Sequence, residues 1–258
     1  MALVIGILGP FVIQSDRRLG NKARALLAYV AAQGGQAVSR ERLANLLWPD
    51  LRSGQARHSL RNCLLELRKA LGPSAALHLV TDLANCQLQD VLVDLDRFER
   101  LSRSPHRSEL QAAADLYRGQ FLDDLDLDSE PFQEWLAAER DRMLAVVCDV
   151  LHRLTAEKDA AGEYEAAIQS ARRLVALDPL SEVGQRALIR AYARAGRRGA
   201  ALQRFKSYAE ILKRELGVAP DAETQALARE IARSRGASEP NTLKGAVDRA
   251  DLNSPPET

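Results

Sequence analysis

Apolar positions along this chain fall mostly at helical spacing, and at strand spacing only near the start and around residue 80. Leu60, Leu64, Leu67 and Leu71 recur at intervals of four, three and four, which stacks them on one face of a helix from Ser53 to Leu71. Before it, Leu26, Leu27 and Val30 form the inner stripe of a helix from Lys22 to Gln33, capped by Asn21 and ended by Gly34-Gly35. Ser39 has the chemistry to cap a second helix, Arg40 to Leu47, which Pro49 prevents from continuing. Leu3 to Leu8 and Phe11 to Ile13, split by Gly9-Pro10, read as a small antiparallel sheet. Leu77 to Thr81 and Cys86 to Leu88 read as a hairpin around Asp82 to Asn85.

Beyond Val91 the helical period takes over. Asp96-Arg97-Phe98 opens a short helix and Ser108 to Tyr117 makes another. Trp135, Leu136, Met143, Leu144, Val147, Leu151 and Leu154 then hold their pattern through one long helix from Phe132 to Ala161. The segments A-G-E-Y-E-A-A-I from Ala161 and A-G-R-R-G-A-A-L from Ala195 repeat at an offset of 34 residues, the tetratricopeptide length. Each copy supplies a Gly for a tight turn and an Ala pair for close helix approach. Helices over Ser181–Ala195 and Asp221–Ser234 complete a short solenoid, whose concave side suits a protein segment. The resulting division is 1–92, 93–235 and a polar, Pro-bearing tail, 236–258, expected to be disordered.

Composition narrows the class. Of the 258 residues, 46% are apolar, 28% charged and 5% aromatic, which fits a mainly α globular protein and excludes wholesale disorder. No apolar run is long enough to span a bilayer and the start lacks the basic flank of an export signal, so a cytoplasmic location without membrane contact is expected. Cys63, Cys86 and Cys148 are far apart and odd in number, which suggests neither disulfide framework nor zinc site. The formal charge of +1 is unevenly spread: residues 1–90 carry eleven Lys/Arg against six Asp/Glu, a local excess of five. A polyanion would dock there. Arg57, His58, Arg61, Asn62, Arg68 and Lys69 lie largely outside the leucine stripe and give that helix a donor-rich outer face.

Sheet, helix, helix, longer helix, hairpin is the order of a winged helix-turn-helix, whose third helix enters the major groove while the wing touches the flanking backbone. L-G-P-F, K-A-R-A-L-L-A-Y, V-S-R-E-R-L-A-N-L-L-W-P-D and A-R-H-S-L-R-N-C-L-L-E-L-R-K-A-L-G resemble the OmpR-type DNA-binding domain of the Streptomyces antibiotic regulatory protein (SARP) family. W-L-A-A-E-R-D-R, L-D-P-L-S-E and K-R-E-L-G-V-A-P resemble the bacterial transcriptional activator domain that follows it in the same family. The resemblance implies a winged helix with a small sheet and wing, then a tetratricopeptide-like all-α domain. It places Arg57, His58, Arg61, Asn62 and Arg68 at recognition-helix positions and gives phosphate anchoring to Lys69 and Thr81. Double-stranded DNA, RNA polymerase and a second protomer on DNA are the partners it implies. Leu65 and Glu66 depart from the polar or basic residues common at such positions, with Lys69 as the partner within Glu66's reach along the helix.

No P-loop, nucleophile elbow, zinc-protease motif or dinucleotide fingerprint occurs. Asp123, Asp124, Asp126 and Asp128 lack the Gly and Glu of a calcium loop and read as solvated acids. His78, before the wing, reads as incidental. The expectation is a non-enzymatic transcription regulator, an activator, with no cofactor or metal. The competing reading is an adaptor that works through its helical repeats, its winged helix serving protein contact.

Overall fold

A computed structural model describes residues 3–13, 18–72 and 78–234; the expected disordered tail and the Leu77 start of a strand lie outside these residues. Three strands, β1 (Leu3–Gly6), β2 (Val12–Ile13) and β6 (Val91–Val93), form the first sheet in the order β2-β1-β6. This sheet is mixed, a correction to the antiparallel expectation: β2 runs antiparallel to β1, but β6 runs parallel to it, with Val4 opposite Leu92. A parallel strand must return from a distant point in the chain, here after the whole winged helix, so local pattern gives no sign of it.

The helices α1 (Asn21–Ala31), α2 (Arg40–Leu47) and α3 (Ser53–Leu71) follow the expected order. Ser39 caps α2, its hydroxyl accepting from the Arg42 N–H at 3.1 Å. Asn21 does not cap α1. Gly20 occupies the cap and Asn21 is the first helical residue. The second sheet, β3 (Val38–Ser39), β5 (Asn85–Leu88) and β4 (Leu79–Thr81), is antiparallel in that order and makes the wing. His78 is buried at the base of the wing, with Nδ1 3.2 Å from the Gln89 carbonyl.

Next come α4 (Asp94–Ser102), α5 (Arg107–Leu116), the long α6 (Glu130–Ala160), α7 (Tyr164–Leu177), α8 (Glu182–Arg194), α9 (Arg198–Glu215) and α10 (Ala222–Arg233). The 34-residue repeat has the same geometry in both copies. Gly162 and Gly196 both sit at φ 75°, a left-handed position that disfavours any side chain. Glu163 N–H reaches the Lys158 carbonyl and Arg197 N–H the Tyr192 carbonyl, both at 2.9 Å, the six-to-one closure of a Schellman turn. In each Ala pair the second residue, Ala167 or Ala201, is fully buried.

One hydrophobic core runs without a break from Ile5 through Leu26, Leu43, Leu67 and Phe98 to Leu154 and Leu174. A second, smaller core around Ile168, Leu188, Ile189, Ala201 and Ile231 belongs to α7, α8, α9 and α10. The winged helix therefore shares its interior with the first half of the helical domain. Trp135 of α6 fixes the junction, its ring centroid 4.8 Å from Tyr29 of α1, 5.2 Å from Phe132 and 5.9 Å from Phe121. Polar ties reinforce it. Asp94 accepts from the Ile7 and Leu8 N–H groups at 2.8 and 3.2 Å, and the buried Ser129 hydroxyl donates to the Leu46 carbonyl at 2.6 Å. The four acids of the loop are exposed, as expected of solvated acids, and two of them also have partners. Asp124 accepts from the Phe11 N–H at 2.7 Å and pairs with Arg24, while Asp126 accepts from Gln133 at 3.0 Å.

Candidate nucleic-acid interface

The outer side of α3 is defined by what its inner side buries. Ala56, Leu60, Cys63, Leu64, Leu67, Ala70 and Leu71 are buried. At about 100° per residue they occupy one continuous arc, and Arg57, His58, Arg61, Asn62, Leu65, Glu66, Arg68 and Lys69 are exposed on the other. α6 packs on α2, and this face of α3 is open to solvent.

The two edges of the face are built differently. On one side the wing lies along the helix: Arg68 donates to the Thr81 hydroxyl of β4, so two predicted residues meet. A cleft between the wing tip and the start of α3 is lined by Arg40, Arg57, Leu60, Arg61, Leu83 and Ala84. Arg40 shapes this cleft by holding the wing. Its backbone N–H donates to the Ala84 carbonyl at 2.7 Å and its guanidinium to the Asp82 carbonyl at 3.1 Å. Asp82 closes the turn, its Oδ1 accepting from the Ala84 and Asn85 N–H groups at 2.6 Å each. Those backbone donors, Asn85 first, hold its carboxyl below the ordinary carboxylate value. Leu83, at the tip, is 100% exposed.

On the other side Glu66 turns toward α1. Its Oε1 accepts from the Gly20 N–H at 2.9 Å, satisfying a backbone donor at the start of α1, which has no side-chain cap of its own. Along its own helix only Lys69 is within reach of Glu66. A bond across helices won because α1 begins beside α3, a proximity that spacing within α3 does not reveal.

Between these edges, His58 Nε2 and Asn62 Nδ2 lie 3.1 Å apart, one turn from each other. Among the described residues Arg57, Arg61, Arg68 and Lys69 are in no ion pair. Arginines of the helical domain commonly are, as in Arg142–Glu99 and Arg194–Asp159 at 2.6 and 2.9 Å. No carboxylate among the described residues pairs with the positive charge on α3. Arg40 and the exposed Leu83 were missed by sequence reasoning, because what brings them to the interface is the fold of the wing over α3.

No cluster of metal-binding side chains occurs among the described residues, nor a helix long and apolar enough to cross a membrane. Burial pushes the Cys63 thiol up to about 12 and that of Cys86 up to about 11, which keeps both as packed thiols.

The chain is 29% identical over 261 residues to the transcriptional regulatory protein EmbR of Mycobacterium bovis and of Mycobacterium tuberculosis, an alignment covering 90% of this chain. The chain spans 64% of the length of those relatives. Among solved structures, Mycobacterium tuberculosis EmbR in complex with a low-affinity phosphopeptide superposes with a TM-score of 0.69 at 24% identity, covering 92% of this chain and 66% of that one. That likeness establishes the fold. The model of the bacterial transcriptional activator domain matches residues 93–232, more than half of the chain and the whole of the helical repeat region. The chain belongs to this family, the SARP type of transcriptional regulator.

Proposed function

We propose that the chain binds double-stranded DNA sequence-specifically through α3 and the wing, and activates transcription through its helical repeats. The observation that carries this is the donor face of α3, open to solvent and bordered by the wing, whose Arg57, Arg61, Arg68 and Lys69 pair with no carboxylate among the described residues. Arg57 and Arg61 are the residues to reach guanine edges, each bidentate contact being worth about 1–3 kcal/mol of discrimination. His58 and Asn62, bonded to each other, present one imidazole and one amide edge beside them. Arg68, held by Thr81, sits where helix and wing meet and is placed for a backbone phosphate, as is Lys69 one position on. The helical repeats contact RNA polymerase or a second protomer on an adjacent direct repeat. No catalytic step belongs to this reading.

The test is in vitro selection of bound DNA with the full chain, followed by a salt titration of the selected site. A protein that displaces counterions from phosphates gives a steep negative slope of log affinity against log salt. Arg57→Ala with Arg61→Ala then weakens the selected site far more than random DNA. A flat salt dependence, or no enriched sequence, would turn the reading toward the adaptor.

A further inference from the structure

We propose that Leu65 reads the C5-methyl group of a thymine in the major groove, so that the half-site contains one thymine recognised through its methyl alone. This deepens the reading above and rests on α3 being the recognition helix.

Leu65 is 46% exposed, and its place on the helix gives that exposure meaning. At about 100° per residue it falls near the middle of the open arc, with Arg57, Arg61 and Arg68 toward the wing and Asn62 and Glu66 toward α1. Each residue three or four positions away, Arg61, Asn62, Arg68 and Lys69, is a hydrogen-bond donor, and such neighbours share a helix face. A leucine ringed by donors can neither bind a phosphate nor pair with a polar base edge. Major-groove edges offer polar atoms at every base pair and one apolar group, the thymine methyl. The side chain central to the interface therefore matches the single apolar feature of its ligand. Glu66, the carboxylate next to it, is bound to the Gly20 N–H at 2.9 Å and does not compete for the same base.

Removing one methyl from a buried apolar contact corresponds to about 0.8 kcal/mol, which is about a fourfold loss of affinity. The experiment takes the site selected with the full chain and replaces each thymidine in turn by deoxyuridine, which deletes the methyl and leaves base pairing intact. The expected result is a loss of about three- to fivefold at one thymine of each half-site. In Leu65→Ala the thymidine and deoxyuridine sites bind equally at that position, while Lys69→Ala keeps the difference. Leu65 is exposed and alanine favours helix, so the variant folds; an unchanged far-ultraviolet spectrum checks it. Sensitivity that persists in Leu65→Ala, or its absence from the parent chain on a site it binds tightly, overturns the inference and leaves the function standing. Failure of the parent chain to bind any DNA overturns the function itself.

Discussion

Replacing Trp135 by alanine tests whether the winged helix and the helical domain are one folding unit. Trp135 is half-buried and meets three rings, Tyr29 at 4.8 Å and 63°, Phe132 at 5.2 Å and Phe121 at 5.9 Å and 76°. Burying an indole is worth about 3–5 kcal/mol against alanine in a core, and edge-on aromatic pairs add about 0.5–1.5 kcal/mol each. Partial exposure of the ring puts the expected loss at the low end, about 3 kcal/mol. For a unit of this size, 1 kcal/mol shifts the melting temperature by about 2–4 °C, so the variant should melt about 6–12 °C lower. The chain holds two tryptophans, and the substitution leaves Trp48, beside α2 in the winged helix, as the sole indole. Its fluorescence then reports the winged helix while the mutated site lies in the helical domain. With a shared core, Trp48 fluorescence shifts with the helical signal near 222 nm; a further phase from the second core around Ile168 and Leu188 does not affect this. Trp135→Phe, which keeps an aromatic ring at the junction, should recover more than half of the shift. A Trp48 transition that stays where alanine at 135 has moved the helical signal would refute the single core.

Three further outcomes follow from the site and the repeats. Glu66→Ala removes the acceptor of the Gly20 N–H and should cost about 0.5–1.5 kcal/mol, read from the urea midpoint; an unchanged midpoint shows that α1 does not depend on this cap. Thr81→Val frees Arg68 from the wing and should weaken the selected operator by about two- to tenfold, the range of one net hydrogen bond. Combined with Arg68→Ala it should add little, and full additivity would show the two to act separately. The Asp221 carboxyl is held at about 2, below its ordinary 3.8, first by the Thr224 N–H and then by the Arg186 guanidinium. A depressed carboxyl stabilises above its unfolded value and ceases to as pH falls, so amide protection in α10 should drop as pH is lowered from 3.8 toward about 2. Asn in place of Asp221 keeps a cap acceptor without titrating, and should remove the drop; an equal drop in that variant assigns it to another group.

The parts of this fold that the sequence foretold are those where one helix decides its own fate. The leucine spacing of α3, the Ser39 cap of α2 and the two turns at Gly162 and Gly196 are all local, each satisfied within a few residues of where it is read. What was misread depends on distant segments. β6 looks like the lead into a helix until β1 lies beside it in parallel, and the bonds that exposed Asp124 makes to Phe11 and Arg24 leave no sign along the chain. The same division runs through the candidate interface. Which residues of α3 are exposed was legible from period alone. Arg40 and Leu83 were not, because the wing must fold back over α3 before either comes near it, and neither was the bond of Glu66, whose partner lies 46 residues away.

The shared core also bears on how the two halves act together. α2 packs on α3 along one side and on α6 along another, and Ser129, one residue before α6, is bonded to the last turn of α2 through the Leu46 carbonyl. A protein interior resists deformation because it is packed at crystal-like density, so the repeats cannot swing freely about α3. If α3 is seated in a groove, the direction in which α8–α10 project from the duplex is set by packing and not by a flexible tether. Partners reached by those helices, whether polymerase or a second copy, should then be met at one fixed spacing along the DNA. Inserting half a helical turn between the half-sites of a selected operator, about five base pairs, should abolish cooperative binding, whereas a full turn of about ten should restore much of it. Cooperativity that tolerates the half-turn insertion would mean that the halves move independently despite their common interior.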